Sequence, residues 1–349
     1  MKLNFCTLFN SNYLSRGMVM YSSLLKNCSD FHLYVFAFDD VCYTFLKLQD
    51  HKHLTVISLK EFEDAELLRV KPTRTAAEYC WTCTPSTILY SIKTFHLDHC
   101  TYLDADMQFF SDPQILFDEM RDRSVLITEH RYSNEYKQSK KTGKYCVQFV
   151  TFKNDERGMK VLNWWRDACI EWCYARIEDG KFGDQKYLDD WTTRYEGVHE
   201  LQHLGGGVAP WNVLQYTFLR SSEKITGTEK ASGKKFDLVF FHFHGVRFFK
   251  NDIVLLLGSL FDLNDEVIDM FYKPYIKQLN QQKKIINAID PAFDPNGATV
   301  EAPIKPATLK EIINLYFYYL KQSPANIFGQ NVRNRMAHRY YYKSEDFNS

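Results

Sequence analysis

The chain has 349 residues, of which 45% are hydrophobic and 25% charged, so a sizeable core can form and disorder is not the default. Its 43 basic and 43 acidic side chains balance, which argues against the broad basic field of a nucleic-acid binder. The nine cysteines are odd in number and scattered, which suits reduced thiols better than a disulfide framework. Cys80/Cys83 and Cys169/Cys173 could supply four zinc thiolates, but buried, unligated Cys is the preferred reading. No signal peptide is expected from "MKLNFCTLFNSNY", and no window approaches the ~18 apolar residues of a membrane span. A cytoplasmic protein is expected, or one held peripherally on the inner face of the membrane.

"KLNFCTLFN" alternates as a first strand, and "YLSRGMVMYSSLLKN" follows with helical periodicity. "FHLYVFAFDD" and "HLTVISLKEF" read as the second and third strands. "TPSTILYSIKTF" reads as a helix with Thr84 as N-cap and Pro85 in its first turn. "HCTYLDADMQFF" is a strand with acids at its polar end, "SDPQILFDEM" a capped helical turn, and "SVLITEH" a further strand. Arg131–Lys144 is polar and turn-like, a candidate mobile loop. "YCVQFVTFKND" is a strand, and the helix after it is expected to end near Gly180. "FDLVFFHFHG" is read as one strand. The rhythm predicts an α/β fold with a Rossmann-like, mixed, mostly parallel sheet flanked by helices. Residues 1–250 form the catalytic domain in this reading, and 251–349 a helical C-terminal extension.

Asp104 and Asp106 stand one residue apart at the end of an apolar run. On a strand, residues i and i+2 face the same side, so both carboxylates can converge while Ala105 turns away. Carboxylates suit hard divalent cations such as Mg²⁺ and Mn²⁺, which can bridge a protein to a diphosphate. D-x-D alone is common by chance. A second contribution comes from "FFHFHG", where His242 and His244 are also i and i+2 before Gly245. Two acids and one imidazole make a plausible open metal site.

With these motifs in order, the sequence resembles a GT-A glycosyltransferase, most similar to glycosyltransferase family 8, over roughly residues 1–250. "YLDADM" matches that family's Y-L-D-x-D, "GDQKYLDD" its G-D-Q segment, "HFHG" with a following basic residue its H-F-x-G…K, and "PWN" a short W-N stretch. The resemblance implies a nucleotide-sugar donor, bound Mn²⁺ or Mg²⁺, and retention of anomeric configuration. It implies that Asp104, Asp106 and His242 ligate the metal, Asp184 binds sugar hydroxyls, and Gln185 lies near the anomeric carbon. Arg247 would stabilise the diphosphate, with Lys250 as the competing residue. Thr7 and Asn12 would lie near the nucleoside. Two departures stand out: Cys146 and Gln148 occupy the places of the family's N-x-G, and the helix before D-x-D offers only Lys93 as a basic residue.

Gln185 is a poor nucleophile, which favours front-face attack over double displacement. "LGGGVAP" can be a flexible turn or a bare backbone wall beside the donor sugar. Trp164, Trp165, Trp172 and Trp191 are assigned to the core, and Trp211 is the aromatic least suited to it. Arg333, Arg335, Arg339 and Lys343 beside Tyr340–Tyr342 could dock on anionic lipid, which would suit a lipid-linked glycan acceptor. The expected function is hexose transfer from a nucleotide sugar, in this reading UDP-linked, to a glycan or lipid-linked acceptor in surface polysaccharide synthesis. The alternatives are a sugar nucleotidyltransferase and a non-catalytic nucleotide-sugar or glycan-binding module.

Overall fold

Eight short segments carry the first part of the fold: β1 (Leu3–Phe9), β2 (Phe31–Ala37), β3 (Leu54–Ser58), β4 (His99–Leu103), β5 (Met107–Phe109), β6 (Val125–Glu129), β7 (Tyr145–Lys153) and β8 (Val198–Glu200). All but β5 join one seven-stranded sheet, in the order β3-β2-β1-β4-β7-β6-β8. Every pairing is parallel except those of β7, which runs against both β4 and β6. Among the described residues, the helices of eight residues or more are α1 (Leu14–Asn27), α2 (Asp40–Lys47), α3 (Ala76–Phe95), α4 (Glu156–Glu171) and α5 (Lys273–Asn287). The α/β class and the mostly parallel sheet expected from the sequence are therefore present. This computed structural model describes residues 2–49, 51–136, 139–222, 224–258, 260–300, 313, 317 and 340–347. It divides into two units, Met1–Phe243 and His244–Ser349.

Strand β1 is buried along its whole length, so its side chains alternate between two apolar layers. Cys6 and Leu8 join a core cluster with Ile88, Leu89 and Ile92 of α3 and Val161, Leu162 and Trp165 of α4. Trp165 and Trp191 are fully buried there, as assigned; Trp164 packs against the cluster only partly buried, and Trp172 is buried but not among its members. Phe5 instead meets Phe31 and Phe109, at ring-centroid separations of 6.3 and 6.4 Å. All nine cysteines are free.

Local chemistry moves several boundaries. Helix α3 begins at Ala76, not at Thr84, because Thr75 and Glu78 form a reciprocal capping box that satisfies two orphan N–H groups. Pro85 lies inside that helix. Helix α4 ends at Glu171 rather than near Gly180, since Trp172 turns extended and its indole N–H donates to Glu178. "FDLVFFHFHG" divides into β11 (Lys235–Asp237) and β12 (Phe240–His242), which belong to different sheets. The first closes an antiparallel sheet with β9 (Tyr216–Arg220) and β10 (Ile225–Glu229), a meander that the sequence reading did not contain. The second pairs antiparallel with β5.

The acids also sit differently from expectation. Strand β4 ends at Leu103, and Asp104–Asp106 form the turn that carries the chain from the main sheet into β5. They converge because the chain bends there, not because a pleat aligns them. Ala105 is buried, as a small residue at a tight bend can be.

The second unit pairs α5 with an antiparallel sheet of β13 (Arg247–Phe248), β14 (Ile253–Leu255) and β15 (Tyr341–Lys343). Tyr340 is buried, and its hydroxyl bonds both the N–H and the carbonyl of Leu263. It is therefore unavailable as an interfacial anchor. Arg333, Arg335 and Arg339 lie outside the described residues. No helix among the described residues is long and apolar enough to cross a membrane.

Phe240 is fully buried and rests on Phe109 and Phe149 at 5.8 and 5.5 Å. Phe240→Ala should cost ~3–5 kcal/mol in urea unfolding. Leu219→Ala, at a side chain 74% exposed, should stay within ~0.5 kcal/mol.

Candidate active site

The two-stranded β5–β12 ribbon assembles the site. Its register sets Phe240 opposite Phe109, Phe241 opposite Gln108 and His242 opposite Met107. The backbone continues the pairing, since Phe243 N–H donates to Asp106 at 2.9 Å. On its other side, His242 N–H donates to the Val208 carbonyl at 2.9 Å. His242 Nε2 thus lies 3.0 Å from Asp106 Oδ1 and 3.7 Å from Asp104 Oδ2. One candidate ligand atom from each of Asp104, Asp106 and His242 falls within 4.8 Å of the others. Two carboxylate oxygens and one imidazole nitrogen, partly open to solvent through the acids, fit a divalent cation of the Mn²⁺ or Mg²⁺ kind.

The electrostatics follow from burial. Asp104 is pushed up to about 6 by burial; the neighbouring His242 works against that rise and Asp106 adds to it. Burial disfavours a charged His242, but Asp106 and Asp104 outweigh it and hold the imidazole well above its usual value.

Asp184 lies close enough to this cluster to feel it. It is buried, and burial together with the charge of Asp104 pushes it up to about 7, while a bond from Thr84 works the other way. Gly183 before it adopts a positive φ of 52°, and a Cβ there would come 3.4 Å from the Trp81 ring. The Trp165 indole N–H donates to the Asp184 carbonyl at 3.0 Å and ties the segment to the core. Gln185 opens the following 3-10 turn, and its amide donates to the Thr142 carbonyl at 2.8 Å.

The remaining predicted residues are distributed as follows. Thr7 is fully buried in β1, and its hydroxyl has no partner among the described residues. Asn12 is exposed in the turn after β1, which Asp39 holds by accepting from the Ser11 N–H and hydroxyl. Arg247 and Lys250 are exposed and belong to the second unit, as does His244.

Two features were given little weight in the sequence. The glycine run is a packed wall, not a loose turn. Gly205–Gly207 is buried, and a Cβ on Gly205 would meet the Asp237 carbonyl at 1.9 Å. Trp211 is buried as well and stands edge-on to the His242 ring, at 5.4 Å and 89°. Asn212 fixes that corner, donating to the carbonyls of His130 and Gly207 at 2.8 Å each. The "PWN" stretch, noted for its resemblance, was the available signal for both residues.

In metal-free protein the raised carboxyl of Asp184 makes the folded chain bind a proton that the unfolded chain releases. Its contribution to stability therefore falls as pH rises from the ordinary carboxyl value through about 7. Asp184→Asn removes that loss. With chelator present, urea unfolding should favour the variant by ~2–3 kcal/mol more at about pH 8 than at about pH 5. A pH-independent difference would contradict the buried, charge-coupled placement of Asp184.

No protein-family model matches the chain. Solved structures that it resembles include the apo form of mouse xyloside xylosyltransferase 1, at 13% identity, covering 69% of this chain and 97% of that one, TM-score 0.43. They also include the galactosyltransferase LgtC with donor and acceptor sugar analogues, at 10% identity, covering 80% and 96%, TM-score 0.49. In sequence, it is 30% identical over 251 residues to the uncharacterized protein YfnF of Bacillus subtilis strain 168, covering 70% of this chain and 81% of that one. It is 31% identical over 294 residues to the uncharacterized protein YfnD of the same strain, covering 83% of this chain and 92% of that one. By that likeness the chain belongs to the family of Bacillus subtilis YfnD.

Proposed function

We propose that this chain is a metal-dependent, retaining glycosyltransferase of the family 8 kind, moving a hexose from a nucleotide-sugar donor, in our reading UDP-linked, to a glycan or lipid-linked acceptor. The observation that carries the reading is the cluster of Asp104, Asp106 and His242, drawn from segments far apart in sequence, with the buried Asp184 beside it. The order of the "YLDADM", "GDQ" and "HFHG" motifs supports it.

Asp104, Asp106 and His242 would hold Mn²⁺ or Mg²⁺, which when bound supplies the positive charge that a departing nucleoside diphosphate needs. Arg247 or Lys250 would add a cation to the same leaving group. Asp184 would orient the sugar through its hydroxyls, and Gln185 would line the face near the anomeric carbon. Thr7, fully buried in β1, would lie beneath the nucleoside rather than touch it, and Asn12, exposed in the turn after β1, would lie near it. The amide of Gln185, the residue placed nearest the anomeric carbon, is a poor nucleophile. Front-face attack is therefore the preferred route. The bond from the anomeric carbon to the diphosphate breaks as the acceptor oxygen bonds to that carbon. The acceptor proton passes to the leaving diphosphate.

We place the reaction in the cytoplasm, peripheral to the inner membrane face, as a step in surface-polysaccharide synthesis. Nine free thiols suit a reducing compartment.

A UDP-sugar panel, assayed by thermal shift and by transfer or hydrolysis with and without Mn²⁺, tests the reading. At least one donor should raise the melting temperature only with Mn²⁺, by mass action on the native state. Asp106→Ala should abolish that metal-dependent shift and lower turnover by roughly 100-fold or more. A full shift in Asp106→Ala, or a covalent glycosyl-enzyme trapped at Asp184 or Gln185, would overturn the assignment.

A further inference from the structure

We propose that Gln148 is the positioning residue that prepares His242 for the metal, an inference that rests on reading Asp104, Asp106 and His242 as ligands. Gln148 lies on β7 and is fully buried. Its Oε1 sits 2.6 Å from His242 Nδ1. An amide oxygen only accepts, so Nδ1 must carry the hydrogen. The lone pair of the metal-binding tautomer then falls on Nε2, the nitrogen that faces Asp106 and Asp104. With the amide turned the other way, an N–H would meet Nδ1 and push the ring hydrogen onto Nε2, where it would block a cation.

Gln148 also touches a second ligand through its main chain. Its carbonyl accepts the Asp104 N–H at 3.2 Å, one step beyond the Leu103–Phe149 pair of the β4–β7 ladder. One residue therefore holds the backbone of one ligand and the ring of another.

Its reach depends on an irregularity. The β6–β7 register shifts between Leu126 and Thr128. Tyr145, Val147, Val150 and Phe152 all enter the core cluster, so the strand's alternation slips by one between Val147 and Val150. Gln148 lies at the slip. Space for its amide comes from Gly207, at a positive φ of 114°, where an added Cβ would stand 2.9 Å from Thr128 and 3.3 Å from Gln148 Nε2. Asn212 holds the Gly207 carbonyl, and the edge-on contact with Trp211 limits rotation of the imidazole. A residue that departs from the family's N-x-G is thus tied to His242 through its side chain and to Asp104 through its backbone.

Mn²⁺ titration calorimetry on wild type, Gln148→Leu and Gln148→Glu tests this, with circular dichroism on each protein to establish folding. Gln148→Leu, close in size but without an acceptor, should weaken Mn²⁺ binding roughly 10–100-fold. Gln148→Glu keeps the acceptor and should bind as tightly as wild type or more tightly. Nitrogen NMR of the His242 ring in protein loaded with diamagnetic Mg²⁺ should show hydrogen on Nδ1 in the wild type. Mn²⁺ binding by Gln148→Leu within about twofold of wild type, or equal losses in both folded variants, would overturn the positioning role while leaving the metal site standing. A wild type that binds no Mn²⁺ would instead overturn the metal reading, and this inference with it.

Discussion

The pairing of β5 with β12 is the constraint on which the rest of the site depends. Three residue pairs join segments that the sequence separates by more than a hundred residues. A ribbon this short is marginal by itself. It is fixed by aromatic packing: Phe109 and Phe240 meet each other and rest on Phe5 of β1 and Phe149 of β7. Since strand side chains alternate, committing Phe240 to that layer sets the placement of His242 two residues on. The geometry of the Asp104, Asp106 and His242 cluster is in this sense a consequence of core packing.

Strand β7 supplies the second constraint. In a wholly parallel sheet, the start of a strand lies at the edge opposite to the ends of its neighbours. Because β7 runs against β4, its early residues Cys146 and Gln148 reach the edge where β4 releases Asp104. Ligands gather at the carboxyl ends of parallel strands. The one reversed strand lets side chains from a strand interior, which are stiffer supports than loop side chains, take part at that edge.

Much of this was legible from residue pattern, and the failures have physical causes. The apolar pattern exposed β1, β2 and β7, because strands buried on both faces carry runs that loops cannot, and it exposed the half-buried β3 as well. Thr84-Pro85 imitates a helix start so well that the true capping box, Thr75 with Glu78, was passed over. Proline is costly but not forbidden inside a helix, and a long, well-packed helix tolerates it. Asp104 and Asp106 were recognised for what they can bind, while the pleat invoked to align them is a turn. Gln148 was noted only as a departure from a pattern. Its partner is 94 residues away, and it reaches His242 across a register slip that no local spacing encodes. Long-range pairing sets which polar residues meet, and a single sequence carries little direct signal of it.

The charge of the site gives its own argument for a cation. Asp104, Asp106 and Asp184 are drawn close together in a largely buried corner, and burial raises the cost of each carboxylate that ionises. Within the described cluster, the imidazole of His242 is the group whose protonation offsets them, and the acids hold it protonated against burial. A divalent ion at the same place would take over that offset and, by needing the Nε2 lone pair, would displace the proton. It would carry more charge than the imidazolium and leave some of it for a ligand. A proton at Nε2 only quiets the acids, whereas an ion there can also attract an anion. An acidic corner held by one buried, amide-oriented histidine is thus better suited to loading a cation than to standing empty.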